Sequence, residues 1–227
     1  MMSDGWRWAK SLLSRVVVVG VLALVLPRSA PLIPWQVYEY RDESFALLPS
    51  PLLRTSQLLS PLPPVSLSPC LPFVPPSWHV TAASLADVTG DGSPECVLLV
   101  WRPWRDWPIQ RWTTAPSPIV DFHDAAGDSC HLILLDPSDG REIWAGSALP
   151  APFTDVAVGD IDEDGRNEVV TLEGGYATGR SGPATYVNVW RWSDFGFALA
   201  WRSPPGTFRE LHLIDGDGDG TLDVAVR

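Results

Sequence analysis

Positive charge is scarce in this sequence. Sixteen Lys and Arg stand against 27 Asp and Glu, a net charge of −11, and Lys10 is the only lysine. Such a chain repels the phosphates of nucleic acid, which excludes a nucleic-acid partner, and it attracts cations. Cysteine is sparse too. Three residues, Cys70, Cys96 and Cys130, are an odd number that cannot form a disulfide framework, and no spacing suits zinc. His79, His123, His131 and His212 lack metal spacing as well, although His123 lies near Asp121 and Asp124. There is no Gly-x-Ser-x-Gly elbow, no Cys/His nucleophile pairing and no phosphate loop. That removes the local signatures of an enzyme and leaves open a site assembled from distant loops. No stretch keeps a helical period with caps, so a helical fold is not expected.

Long apolar runs are also missing. The uncharged run from Val16 to Pro27 falls short of the ~20 residues a membrane-spanning helix needs. It follows Arg7, Lys10 and Arg15, the order of a signal peptide. Arg28 precedes the small pair Ser29-Ala30, a poor cleavage site. Residues 1–30 therefore read as a signal peptide or a short membrane anchor. Either puts the rest of the chain outside the cytoplasm, secreted or tethered, with the membrane involved only through this segment.

Apolar residues make up 45% of the chain, with 12 Trp, enough for a sizeable core. Nine prolines between residues 49 and 76 exclude a regular helix or central strand there, so the segment reads as a linker or strap. From residue 77 onward short Val-, Leu- and Trp-rich runs alternate with Gly, Asp and Pro turns, an all-β pattern. Cys96 lies in one such run and reads as a core residue. Cys70 and Cys130 could then pair in an oxidising compartment, and the sequence leaves that pairing open.

One unit recurs three times: an apolar strand, an Asp-rich loop, a second apolar strand. The copies are Ala83–Val97, Val156–Val170 and Leu211–Ala225. A looser hairpin recurs at 36–47, 131–144 and 188–199. Such periods indicate repeat architecture, and their size suits four-stranded propeller blades. The chain opens with an outer hairpin (31–48), continues with two full blades, and finishes with an inner hairpin. The two orphan hairpins are expected to combine into one composite blade. The fold class is thus all-β, a β-propeller or propeller fragment. Three blades are fewer than the usual four to eight. The sequence is then part of a longer propeller, a unit that self-associates, or an unusually small ring.

The loops carry the chemistry. Each fits Asp-x-[Asp/Thr]-x-Asp-Gly-x-x-[Asp/Glu]. Hard cations such as calcium take six to eight oxygen ligands. Alternate residues of a tight turn aim carboxylates at one centre, and Gly at position six permits the bend. The first loop offers Asp87, Thr89, Asp91 and Glu95 with the carbonyl of Ser93. The second offers Asp160, Asp162, Asp164 and Glu168 with the carbonyl of Arg166. The third offers Asp215, Asp217, Asp219 and Asp223 with the carbonyl of Thr221. Thr89 replaces a carboxylate by a hydroxyl, so the first site is expected to be weaker. An EF-hand needs an acid at position twelve, where this chain has Leu98, Thr171 and Val226.

These loops resemble those of the FG-GAP or VCBS repeat family, the calcium-loop blades also found in integrin α-subunit propellers. The resemblance covers residues 77–227 and includes every ligand position, with Thr89 a softer match. Phe153–Asp160 is the nearest approach to the FG-GAP signature. The resemblance implies a propeller with structural calcium, often in adhesion or ligand-binding proteins, and names no ligand. The expected partner is a protein or glycan. Trp104, Trp107 and Trp112, with Trp101 at the mouth of the same Arg- and Trp-rich insert, are candidates to contact it. Trp144, Trp190, Trp192 and Trp201 read as packing residues. The competing reading is an extracytoplasmic enzyme whose active site lies on the propeller face.

Overall fold

The computed structural model describes residues 35–41, 44–48, 69–103 and 122–227. Segment 1–30, most of segment 49–76, and Trp104, Trp107 and Trp112 lie outside the described residues. Among the described residues no helix is long and apolar enough to cross a membrane.

The strands of the described residues form three four-stranded antiparallel sheets. The first holds β3 (His79–Ala86), β4 (Glu95–Pro103), β5 (Asp128–Leu135) and β6 (Glu142–Ala145) in sequence order. The second holds β7 (Phe153–Gly159), β8 (Glu168–Glu173), β9 (Tyr186–Ser193) and β10 (Gly196–Arg202), again as a meander. The third is composite. Its order is β11 (Leu211–Ile214), β12 (Asp223–Val226), β1 (Gln36–Arg41) and β2 (Ser44–Leu47). Gln36, Val37 and Tyr38 of β1 pair with Val226, Ala225 and Val224 of β12. The two orphan hairpins do combine, as their order in the sequence implies.

The inner strands of each sheet are nearly all apolar because both their faces are covered. On β4, Glu95 through Trp101 are all buried. Strand alternation divides them. Val97, Leu99 and Trp101 join Leu132, Leu134, Phe153, Val156 and Val169 in a core between the first and second sheets. Val170 and Leu172 point the other way, into a core with Tyr38, Phe45, Val224 and Val226 of the composite sheet. The second sheet thus lies between the other two. Aromatic edges fill both seams. Trp144 meets Phe197 edge-on at 5.3 Å, and Trp201 meets Tyr38 at 5.1 Å. Trp144, Trp190, Trp192 and Trp201 all pack on these cores, as expected. Trp101 is fully buried in the first of them, which removes it from the candidate ligand-contacting residues.

No closed ring is formed among the described residues. The far face of the first sheet carries Cys96, Leu98, Val100, Ile133 and Leu135, covered by Cys70, Phe73 and Val74 of the strap and by Trp78 just after it. The Phe73 ring lies on Gly140, where a Cβ would sit 2.3 Å from its Cγ. Gly140 also has φ +74°, so both the turn and the close approach require glycine. The strap is tied down by a disulfide between Cys70 and Cys96. The partner of Cys70 is thus Cys96 and not Cys130, and the reason is the two-residue period of a strand. Cys96 faces the strap, whereas Cys130 faces the opposite core. Cys130 is free and buried, and burial pushes its thiol up to about 12, which makes it unreactive.

Candidate metal centres

The three Asp-rich loops close the β3–β4, β7–β8 and β11–β12 hairpins, in each sheet an edge strand and its neighbour. Three hydrogen bonds recur in all three. The carboxylate at position one accepts the amide of the position-six glycine: Gly92 to Asp87 at 2.8 Å, Gly165 to Asp160 at 3.0 Å, Gly220 to Asp215 at 3.2 Å. The position-five carboxylate accepts the amide of position seven at 2.8 Å each time: Ser93 to Asp91, Arg166 to Asp164, Thr221 to Asp219. The position-nine acid accepts the amide of position two: Val88 to Glu95 at 2.8 Å, Ile161 to Glu168 at 3.2 Å, Gly216 to Asp223 at 2.9 Å. Position four is left-handed as well as position six. Gly90, Glu163 and Gly218 have φ of 78°, 59° and 88°. The double left-handed turn curls each loop so that alternate side chains face inward.

Acids converge as a result. Carboxylate oxygens of Asp87, Asp91 and Glu95 lie within 4.8 Å of one another, as do those of Asp160, Asp162 and Glu168. Thr89 Oγ1 donates to Glu95 Oε1 at 3.0 Å, so the hydroxyl at position three reaches the group. Asp164 lies in the second loop outside that tight group. In the third loop the tight group is Asp217, Asp219 and Glu39. Asp215, which accepts the Gly218 and Gly220 amides, and Asp223, at the start of β12, lie outside that group. Glu39 was not among the expected ligands. It belongs to β1, far away in sequence, and only the β1–β12 register brings it to the loop.

The position-nine acids are the buried members: Glu95 and Glu168 are 1% exposed and Asp223 is 2%. Burial, then the charges of Asp164 and Asp160, pushes the Glu168 carboxyl up to about 7. Burial, then Glu39, Asp217 and Asp219, pushes Asp223 up to about 6. Ionised carboxylates are not stable in such places without a counter-charge. One is partly supplied in the second loop. Arg191 is ion-paired to Asp162, and its Nε lies 3.4 Å from Glu168 Oε1, without hydrogen-bond alignment. Arg41 similarly pairs with Glu39 and reaches Asp217 at 4.0 Å.

These residues fit a metal ion. The side-chain donors are all oxygen, the set that hard divalent cations prefer. Asp160 Oδ1 is buried without a hydrogen-bond partner, an orphaned carboxylate oxygen inside the second group that a cation would satisfy. The loops also touch. Asn167 Nδ2 donates to the Asp87 carbonyl at 2.8 Å, and Thr221 Oγ1 donates to Glu163 Oε1 at 2.8 Å. All three clusters therefore line one end of the sheets. His123 and Asp124 are engaged otherwise: His123 Nδ1 contacts the Asp124 carbonyl, and Asp124 is ion-paired to Arg180. Comparison with family models, with curated proteins and with solved structures finds no match to this chain.

Proposed function

We propose that the chain is an extracytoplasmic binding module, a propeller fragment of FG-GAP or VCBS type whose three loops hold structural calcium. The observation that carries the reading is the threefold repetition of one hydrogen-bonding pattern at equivalent hairpins, each with a buried position-nine acid bonded to the position-two amide and each with a group of converging carboxylates. A plain Asp-Gly turn needs no such acid. The Cys70–Cys96 bond suits an oxidising compartment outside the cytoplasm. The strap it anchors covers the face on which a further blade or a second copy would stack.

The binding surface in this reading lies at the other end of the sheets. A cleft of about 470 Å³ opens beside the starts of β3 and β7, lined by His79, Thr81, Thr154, Arg180 and Arg209. Arg180 is held by Asp124 and Asp128, so Arg209 supplies the cleft's positive charge, which with the threonine hydroxyls suits a glycan or protein segment that bears an acidic group.

Calorimetric titration of the full chain with calcium, with magnesium as control, tests the metal half. Calcium-selective binding approaching three ions per chain is expected, and no binding overturns it. A glycan and acidic-peptide panel, repeated with Arg209→Ala, tests the ligand half. Binding lost in the variant supports it. Turnover of a panel member would favour the enzyme reading instead.

A further inference from the structure

The third cluster differs from the other two in one respect. Loops one and two draw their grouped acids from a single hairpin, whereas loop three borrows Glu39 from β1. Three observations place Glu39 there for a reason other than strand formation. It is 6% exposed, yet a charged residue in the middle of a strand is normally turned to water. Its Oε2 is buried without a hydrogen-bond partner, while Oε1 takes Arg41. Its carboxylate comes within 4.8 Å of those of Asp217 and Asp219. Like charges that close, one of them desolvated, repel unless a cation lies among them. Arg41 cannot fill that role alone. It is 58% exposed at its side chain and only 4.0 Å from Asp217 at its nearest.

We infer that the third site is completed by Glu39, so that a divalent cation held by Glu39, Asp217 and Asp219 clasps β1 onto the β11–β12 hairpin. The inference rests on the calcium reading above and adds to it an interstrand role. The β1–β12 pairing covers three residue pairs, Gln36–Val226 to Tyr38–Val224, and Glu39 follows directly on that ladder. A cation there holds the open end of the ladder shut. Loops one and two stabilise their own hairpins. The third ties together two distant parts of the chain, which makes the composite sheet the most cation-dependent of the three.

The test is hydrogen–deuterium exchange with peptide resolution on the full chain, in calcium and in EGTA. It compares the natural protein with Glu39→Gln and with Asp219→Asn, which removes the loop side of the same site. In the natural protein calcium should slow exchange in β1 and β12 as well as in all three loops. In both variants calcium should no longer slow exchange in β1, while loops one and two keep their full response. The calcium affinity of the third site should fall roughly tenfold or more. If β1 keeps its calcium response in Glu39→Gln, the clasp is wrong while the calcium reading stands. Should Glu39→Gln not fold, Asp219→Asn decides the question in the same way. If no loop of the natural protein responds to calcium, the underlying reading fails and the clasp fails with it.

Discussion

Glu168→Gln should change the sign of its effect with the cation. Glu168 is 1% exposed, and burial together with Asp164 and Asp160 raises its carboxyl from 4.5 to about 7. The folded value lies above the unfolded one. In a chelator the full stability is therefore present below pH 4.5 and is lost as pH rises through 7. A rise of about 2.5 units corresponds to about 3 kcal/mol. Glutamine removes the charge and keeps an oxygen for the Ile161 amide. At pH 8 in EGTA the variant should be more stable than the natural protein by about 3 kcal/mol. In calcium at about 1,000 times the Kd it should forgo about 4.1 kcal/mol of ligand stabilisation from that site and fall below the natural protein. Denaturant unfolding in the two buffers measures both. A variant less stable in EGTA would show that the carboxylate is not penalised. An undiminished calcium response would show that it is not a ligand.

Three further outcomes are expected. His131 is 3% exposed and bonded to the Gly146 carbonyl, and burial, then the Arg102 charge, pushes it down to about 4. Its contribution is complete above pH 6.5 and is lost as pH falls toward 4, about 3 kcal/mol in all, so His131→Gln should flatten the acid limb of a stability–pH curve. Cys70→Ser opens a link that spans 26 residues and should cost about 3 kcal/mol, read by urea unfolding, with a smaller effect in reducing buffer. Thr89→Asp supplies the carboxylate that the first loop lacks at position three. It should tighten the weakest calcium step in a calorimetric titration without altering the others.

Much of this architecture is legible in the sequence because its signals are local. Alternating apolar runs ended by Asp-Gly turns place each inner hairpin within a residue or two. The order of outer and inner hairpins foretells the composite sheet. What escapes is whatever depends on register and face. Cys96 and Cys130 sit in similar apolar runs, and only the alternation of β4 and β5 decides which one meets Cys70. Glu39 carries no mark in sequence, since the β1–β12 register that brings it to Asp217 is long-range. Arg191 is likewise invisible as a neighbour of Asp162, being on a different hairpin. The left-handed residue at position four of each loop was readable from Gly90 and Gly218, but Glu163 hides it in the second copy.

Thermal unfolding of the full chain in calcium, in magnesium and in EGTA tests the central claim most directly. Three structural sites predict a cooperative transition whose midpoint rises by many degrees in calcium, with little effect of magnesium. A cooperative midpoint that is the same in all three buffers would contradict the assignment of the Asp-rich loops as structural calcium sites.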